Sequence, residues 1–178
     1  MNVITETKSD VSSLIDEALR ERPDGILEMV AHKCGASLWQ VFQRLPEGQA
    51  VATPGDRFEE LWADLRTWGS VLFIVHTDDI VLECEGALPS GTSGHGYFNI
   101  HGDSPIGGHI KASNCTRIAF VDRPFHGRRS CSVQFLNATG NAMFKIFVRR
   151  DESRELLSDQ VKLFEIMREK FRSMPILE

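Results

Sequence analysis

The 178-residue sequence lacks the patterns that are typical of secreted proteins, membrane-spanning proteins and proteins with structural zinc sites. Its longest apolar run, VLFIV at 71–75, is far shorter than the ~20 residues needed to cross a bilayer. No positively charged segment followed by an apolar stretch opens the chain, so we expect a soluble, cytoplasmic protein without membrane insertion. The cysteines form no CxxC or CxxH pair, which disfavours structural zinc and predicts four reduced core residues: Cys34, Cys84, Cys115 and Cys131.

Several catalytic and nucleic-acid-binding motifs are also missing. The sequence contains no GxSxG, no GxxxxGK[ST] and no GxGxxG, and the paired Asp78–Asp79 falls in a predicted hairpin turn. The net charge of −5 argues against a dedicated nucleic-acid binder. A helix pair at 24–45 has the size of a helix-turn-helix, but Arg44 is the only cation of its second helix. A packing helical hairpin is therefore favoured, with no nucleic-acid partner.

The pattern of apolar residues is helical up to about residue 70. We expect residues 1–20 to form an N-terminal extension with a short helix, followed by a helical region at 21–69. Ser37 and Gln40 have the spacing of a capping box, and Asp56 is the expected N-cap of a fourth helix.

From residue 70 the pattern favours strands, and the β-region is expected to span 70–150. Two runs joined at TDD predict a hairpin, and three more strands follow. The last of these is apolar on both faces except for Lys145, so both faces should contact something. An apolar stripe then predicts a C-terminal helix at 153–173. Helices, an antiparallel sheet and a helix indicate the α+β class, with one domain over 21–178.

The stretch SGHGYFNIHGDSPIGGHIK, residues 93–111, holds three of the six histidines and the only tyrosine, Tyr97. His109 follows a flexible glycine pair, and His76 ends an apolar strand at the lip of the sheet, so both are candidate ligands. His95 falls in a glycine turn, and solvated positions are expected for His101 and His126.

These residue types favour an iron ligand set over a zinc cage. Zinc requires three or four clustered ligands with supporting partners, and Tyr97 is a poor zinc ligand. Tyrosinate and imidazole in apolar surroundings suit haem iron better. Cations for the haem propionates are available in Lys111, Arg117, Arg123, Arg128 and Arg129. From the residues alone haem ranks first, and other ligands remain open.

The run from GYFN through GHIKA, CTRIAFV and AMFKIFV to RDESRELLSDQV resembles the HutX/ChuX family of bacterial intracellular haem-utilisation proteins. The resemblance extends from about Pro23 to Val161 in order. It implies a cytoplasmic haem carrier with N-terminal helices, a large curved antiparallel sheet and a C-terminal helix. In relatives this fold occurs twice in one longer chain, so the single copy here implies a homodimer.

The resemblance also assigns the site. It places haem-binding positions at His76 in FIVHT, Tyr97 in GYFN and His109 in GHIKA, any of which would be the iron ligand. The implied function is binding haem as cargo after uptake and passing it to a degrading or storage protein, without catalysis. Two alternatives remain: a haem-degrading enzyme that opens the ring with an external reductant, and a haem-responsive regulatory protein.

Overall fold

A computed structural model describes the backbone of residues 3–172 and the side chains of residues 10–172. The helices are α1 (Val3–Glu21), α2 (Leu27–Cys34), α3 (Leu38–Phe42), α4 (Phe58–Leu65) and α5 (Ser158–Arg172). The strands are β1 (Ala50–Pro54), β2 (Ser70–His76), β3 (Val81–Ala87), β4 (Ser90–Gly94), β5 (Tyr97–His101), β6 (Gly108–Ile110), β7 (Cys115–Phe125), β8 (Arg128–Asn137) and β9 (Ala142–Phe147).

The strands form two antiparallel sheets. The large sheet has the order β1-β7-β8-β9-β2-β3, and the small sheet has the order β4-β5-β6. The α+β architecture with N-terminal helices, a large antiparallel sheet and a C-terminal helix is confirmed. The three strands predicted after residue 114 are β7, β8 and β9, and the predicted TDD hairpin joins β2 to β3.

The two faces of the large sheet are covered differently. On β8, Cys131, Val133 and Phe135 are fully buried on one face, where α4, α5 and the small sheet enclose the larger core. On the other face α1, α2 and α3 form a second core, which reaches the part of the sheet around β1, β7, β8 and the first residue of β9. The rest of that face, toward β9, β2 and β3, borders a cleft.

The structure confirms some of the local predictions for the helical region and contradicts others. The capping box is present, since Ser37 Oγ accepts from the Gln40 backbone and the Gln40 side chain accepts from the Ser37 backbone. The expected Asp56 cap is wrong, because Gly55–Arg57 forms a 3-10 turn and α4 begins at Phe58 without a side-chain cap. Strand β1 was also unexpected in a region predicted to be helical; it pairs with β7 at the edge of the sheet.

Both terminal helices differ in extent from the expectation. Helix α1 has 19 residues rather than being short, and its Ile15, Ala18 and Leu19 pack into the second core. Helix α5 begins at Ser158 rather than 153, and position 173 of the predicted helix lies outside the described residues.

The small sheet is the largest departure from the sequence-based expectation. The glycine-rich stretch 93–111 was interpreted through its turns, yet most of it belongs to strands β4, β5 and β6. The predicted turn is present, because His95 and Gly96 join β4 to β5 with φ values of 53° and 81°. Two consecutive positive φ angles are typical of the tight hairpin turn whose twist matches the flanking strands.

The four cysteines are all free, as predicted. Cys34, Cys115 and Cys131 are buried, and Cys84 is partly buried. Burial raises the pKa of both the Cys115 and the Cys131 thiols to about 12.

Candidate functional site

One aromatic side chain of the small sheet is fully packed into the larger core. Phe98 on β5 is buried and makes edge-to-face contacts with Phe58 and Trp62, at ring-centroid distances of 5.3 and 5.4 Å. The Trp62 indole N–H also donates to the Pro89 carbonyl at 2.9 Å, just before β4. A Cβ at Gly91 would overlap the Phe98 ring, so glycine is required there for this close packing.

Because side chains alternate along a strand, the neighbours of Phe98 face away from the core. Tyr97 is 46% exposed and stands opposite Gly94 on β4, which has no side chain to cover the ring. His109 on β6 is exposed and pairs with Asn99 across the strands. The Tyr97 and His109 ring centroids lie 6.2 Å apart in an edge-to-face arrangement. The structure therefore brings two of the three predicted site residues together on one outward surface, the Tyr97 face.

Polar contacts order this surface. His109 Nδ1 lies 2.7 Å from Asn99 Oδ1, and His101 Nε2 lies 2.8 Å from Thr92 Oγ1. Ser93 Oγ donates to the Glu59 carboxylate, which links β4 to α4. Both imidazoles are thus held by a side chain of the same sheet.

His76, the third predicted residue, is not on the Tyr97 face. On β2 the side chains of Phe73 and Val75 pack into the larger core, while Leu72, Ile74 and His76 line the cleft on the opposite face of the large sheet. Within one chain, the sheet and its core therefore separate His76 from Tyr97 and His109. The three residues that the resemblance places in one site therefore lie on two surfaces of a single copy.

The cleft has a volume of ≈ 440 Å³ and a mixed lining. Leu72, Ile74, Val81, Phe125 and Phe147 supply apolar walls, and buried polar side chains come from β8 and β9. These are Ser132, Gln134 and Lys145, and Arg123 of β7 is a further buried polar side chain of the lining. Lys145 is the charged residue that interrupts the apolar pattern of β9, the last strand.

A charged group lies at one side of the cleft, near His76. The Lys145 ammonium contacts the Glu28 carboxylate of α2, and His76 Nδ1 lies 3.7 Å from Glu28 Oε1. Burial lowers the pKa of Lys145 to about 8, while the neighbouring carboxylate favours the charged form. An imidazole and an ammonium on one carboxylate give the cleft a polar corner beside apolar walls.

Four of the five cations expected to bind propionates contact other groups of the fold. Arg117 stacks 5.0 Å from the Trp39 ring, and Arg123 donates to the carbonyls of Pro23 and Gly25. Arg128 pairs with Glu155, and Arg129 pairs with Asp122 and Glu165. The propionate role of these cations stays a prediction. Arg123 also lines the cleft, and Lys111, exposed directly after β6, is the member of the set beside the Tyr97 face.

Sequence reasoning missed Asn99, His101 and Glu28 as site neighbours. Lys145 could be found from sequence as the charged position in an apolar strand, and it was noted for that reason. Asn99 gave no such signal, because its role depends on the pairing of β5 with β6. These strands were not predicted, since their glycine-rich sequence indicated turns.

The described residues lack two other kinds of feature. No group of three or more His, Cys, Asp or Glu side chains within them is arranged to hold a metal ion. None of their helices is both long and apolar enough to cross a membrane.

Comparison with known proteins shows the family to which the chain is similar. The family model described as haem utilisation ChuX/HutX matches residues 51–167, well over half of the chain. The intracellular heme transport protein HutX of Vibrio cholerae serotype O1 is 28% identical over 170 residues, which cover 95% of this chain and 88% of HutX.

Two solved structures are similar over most of the chain. A protein of Agrobacterium tumefaciens is 52% identical, with a TM-score of 0.88 and coverage of 97% of this chain and 98% of the other. The heme-binding protein ChuX is 44% identical, with a TM-score of 0.79 and coverage of 88% and 97%. The chain belongs to the ChuX/HutX family of haem-utilisation proteins.

Proposed function

We propose that this protein is a cytoplasmic haem carrier that binds haem as cargo and passes it to a degrading or storage protein. The observation that carries the proposal is the pairing of Tyr97 and His109 on an exposed surface anchored by Phe98. Family membership supports it, since HutX is a heme transport protein and ChuX a heme-binding protein. An open surface suits a carrier, because the ligand must both enter and leave.

Tyr97 and His109 are the proposed iron ligands on this face. A phenolate and an imidazole are both axial ligands of haem iron in proteins, and the half-exposed Tyr97 ring is accessible from solvent. The aromatic ring and the uncovered Gly94 beside it leave room for the flat macrocycle. Lys111 is near enough in sequence to β6 to serve a propionate.

His76 enters the proposal separately, as a haem-binding residue of the cleft. The cleft's apolar walls and the Lys145 ammonium provide surroundings for a ring and its carboxylates. A single haem molecule could bind at the Tyr97 face or in the cleft but not contact both, since the large sheet lies between them. Two places for one ligand suit stepwise transfer.

The function is tested by titrating the purified protein with haemin and mixing the loaded protein with apo-acceptor candidates. We expect a saturable ferric spectrum, followed by transfer of haem to a haem-degrading or storage protein. Loaded protein should keep its Soret band when ascorbate is added in air. Loss of that band with formation of ring-opened products would contradict the carrier and establish a degrading enzyme. Failure to bind haemin at all would overturn the proposal.

We also propose a homodimer, with the second copy placed against the open face of the large sheet. Strand β3 is the last strand of that sheet, and Ile80, Val81 and Leu82 are 56%, 53% and 53% exposed at its start. Exposed apolar side chains on an edge strand are typical of an association surface. The uncovered face between β9 and β3 continues from this edge.

Light scattering coupled to size-exclusion chromatography tests this arrangement. The wild-type protein should have twice the mass of the chain, and Val81→Glu should shift it to the monomer because a carboxylate cannot be buried there unpaired. Ile166→Glu is the matched control, since Ile166 is 66% exposed on α5, which covers the opposite face. A wild-type monomer, or equal dissociation by both substitutions, would contradict the proposed interface.

A further inference from the structure

We propose that Asn99 is a positioning residue that fixes the tautomer of His109 and presents its Nε2 lone pair to the ligand. The inference rests on the proposed function, in which His109 is a haem ligand. It deepens that function by naming the atom that binds and the residue that selects it.

The argument starts with the orientation of the Asn99 amide. Its Nδ2 lies 3.2 Å from the Thr92 carbonyl, 3.1 Å from the Gly94 carbonyl and 3.2 Å from the Tyr97 carbonyl. All three neighbours are acceptors, and an amide oxygen placed among them would have no hydrogen to share. The chemistry of the surroundings therefore requires the NH₂ group on this side, whichever way the amide is first drawn.

Fixing the amide also fixes the imidazole. With Nδ2 facing the three carbonyls, Oδ1 faces His109 Nδ1 at 2.7 Å. An amide oxygen only accepts, so His109 Nδ1 must carry the hydrogen. In the neutral ring the other nitrogen, Nε2, then holds the free lone pair. The cross-strand pairing of Asn99 with His109 keeps the two side chains in this relation.

This arrangement is the one that metal-binding histidines generally use. Such a histidine donates its second N–H to an oxygen acceptor, which orients the ring and raises the basicity of the ligand nitrogen. Removing the acceptor typically lowers metal affinity by roughly 10–100-fold.

His101, on the same face, shows the contrast. Its Nε2 is the nitrogen in contact, 2.8 Å from Thr92 Oγ1. A hydroxyl both donates and accepts, so this contact selects no tautomer and occupies the outer nitrogen. Of the two histidines on this surface, only His109 is held with Nε2 free and its tautomer determined.

The tautomer can be read directly by long-range ¹H–¹⁵N NMR on the haem-free full chain, at a pH about two units above the ordinary histidine pKa of ~6.5. Wild-type His109 should be protonated at Nδ1. Asn99→Leu, which removes the oxygen acceptor, should give a mixture of tautomers. Thr92→Val is the control, because it removes the His101 contact and leaves Asn99 in place. A wild-type His109 protonated at Nε2 would overturn the inference whether or not the variants fold.

Haemin affinity separates this inference from the proposed function. Asn99→Leu should weaken ferric haem binding by about tenfold or more. If His109→Ala weakens binding and Asn99→Leu does not, the positioning role is wrong and the haem site stands. If neither weakens binding while the wild-type tautomer is as expected, the assignment of His109 as a ligand fails.

Discussion

Replacing Tyr97 with phenylalanine should weaken ferric haem binding by at least about tenfold and shift the ferric Soret band. The substitution removes one oxygen from a side chain that is half exposed, so the fold should be unaffected. In the proposed site Tyr97 would supply an anionic oxygen to iron, which phenylalanine cannot do. Haemin titration followed by absorption spectroscopy measures both effects.

His126→Ala is the matched control for that experiment. His126 lies at the tip of the β7–β8 hairpin with a φ of 48°, and its ring packs on Phe125, away from the small sheet. Its removal should leave the haem spectrum and affinity unchanged. If Tyr97→Phe, His109→Ala and His76→Ala all bind haemin as the wild type does, the assignment of these three residues is wrong.

Phe98→Ala should be the most destabilising single change near the site. Truncating a buried phenylalanine costs about 3–5 kcal/mol of the free energy of unfolding, through lost transfer energy and the cavity that remains. For a chain of this size that corresponds to a Tm lower by roughly 6–20 °C. Phe98 provides the aromatic contacts between the small sheet and α4, so haem binding should fall together with stability.

Thermal unfolding monitored by circular dichroism checks the stability, and Phe98→Leu tests the cause. Leucine fills most of the space and should recover most of the Tm and the haem affinity. Ile166→Ala, at an exposed position of α5, should change stability by no more than about 0.5 kcal/mol. A Phe98→Ala protein with an unchanged Tm would contradict the role of Phe98 as anchor.

The parts of the fold that sequence predicted are those with strong periodicity. Strand β8 was readable because Cys131, Val133 and Phe135 alternate with the residues of the other face. Strand β1 was missed because its five residues, AVATP, have no alternation of their own and acquire their conformation by pairing with β7. Its existence depends on a contact about seventy residues away along the chain, which local patterns do not contain.

The sequence indicated which residue types are candidate ligands, but not how the strands would arrange them. Tyr97 and His109 were singled out, and they lie together because β5 pairs with both β4 and β6. The glycines that suggested only turns also permit close packing, as at Gly91 beneath Phe98. His76 lies apart from them because alternate side chains of β2 point to opposite faces of the large sheet. Which face His76 reaches has consequences for the site only when it is known which face is covered.

The buried thiols have a consequence for a protein that handles iron. A thiolate is a strong haem ligand and an easy target of oxidation, but both reactions need the deprotonated sulfur. Burial raises the pKa of Cys34 and brings those of Cys115 and Cys131 to about 12, so at neutral pH these three remain protonated. The hydrophobic core thereby keeps these three thiols from competing for the metal, whereas the proposed iron ligands, Tyr97 and His109, are an oxygen and a nitrogen at the surface.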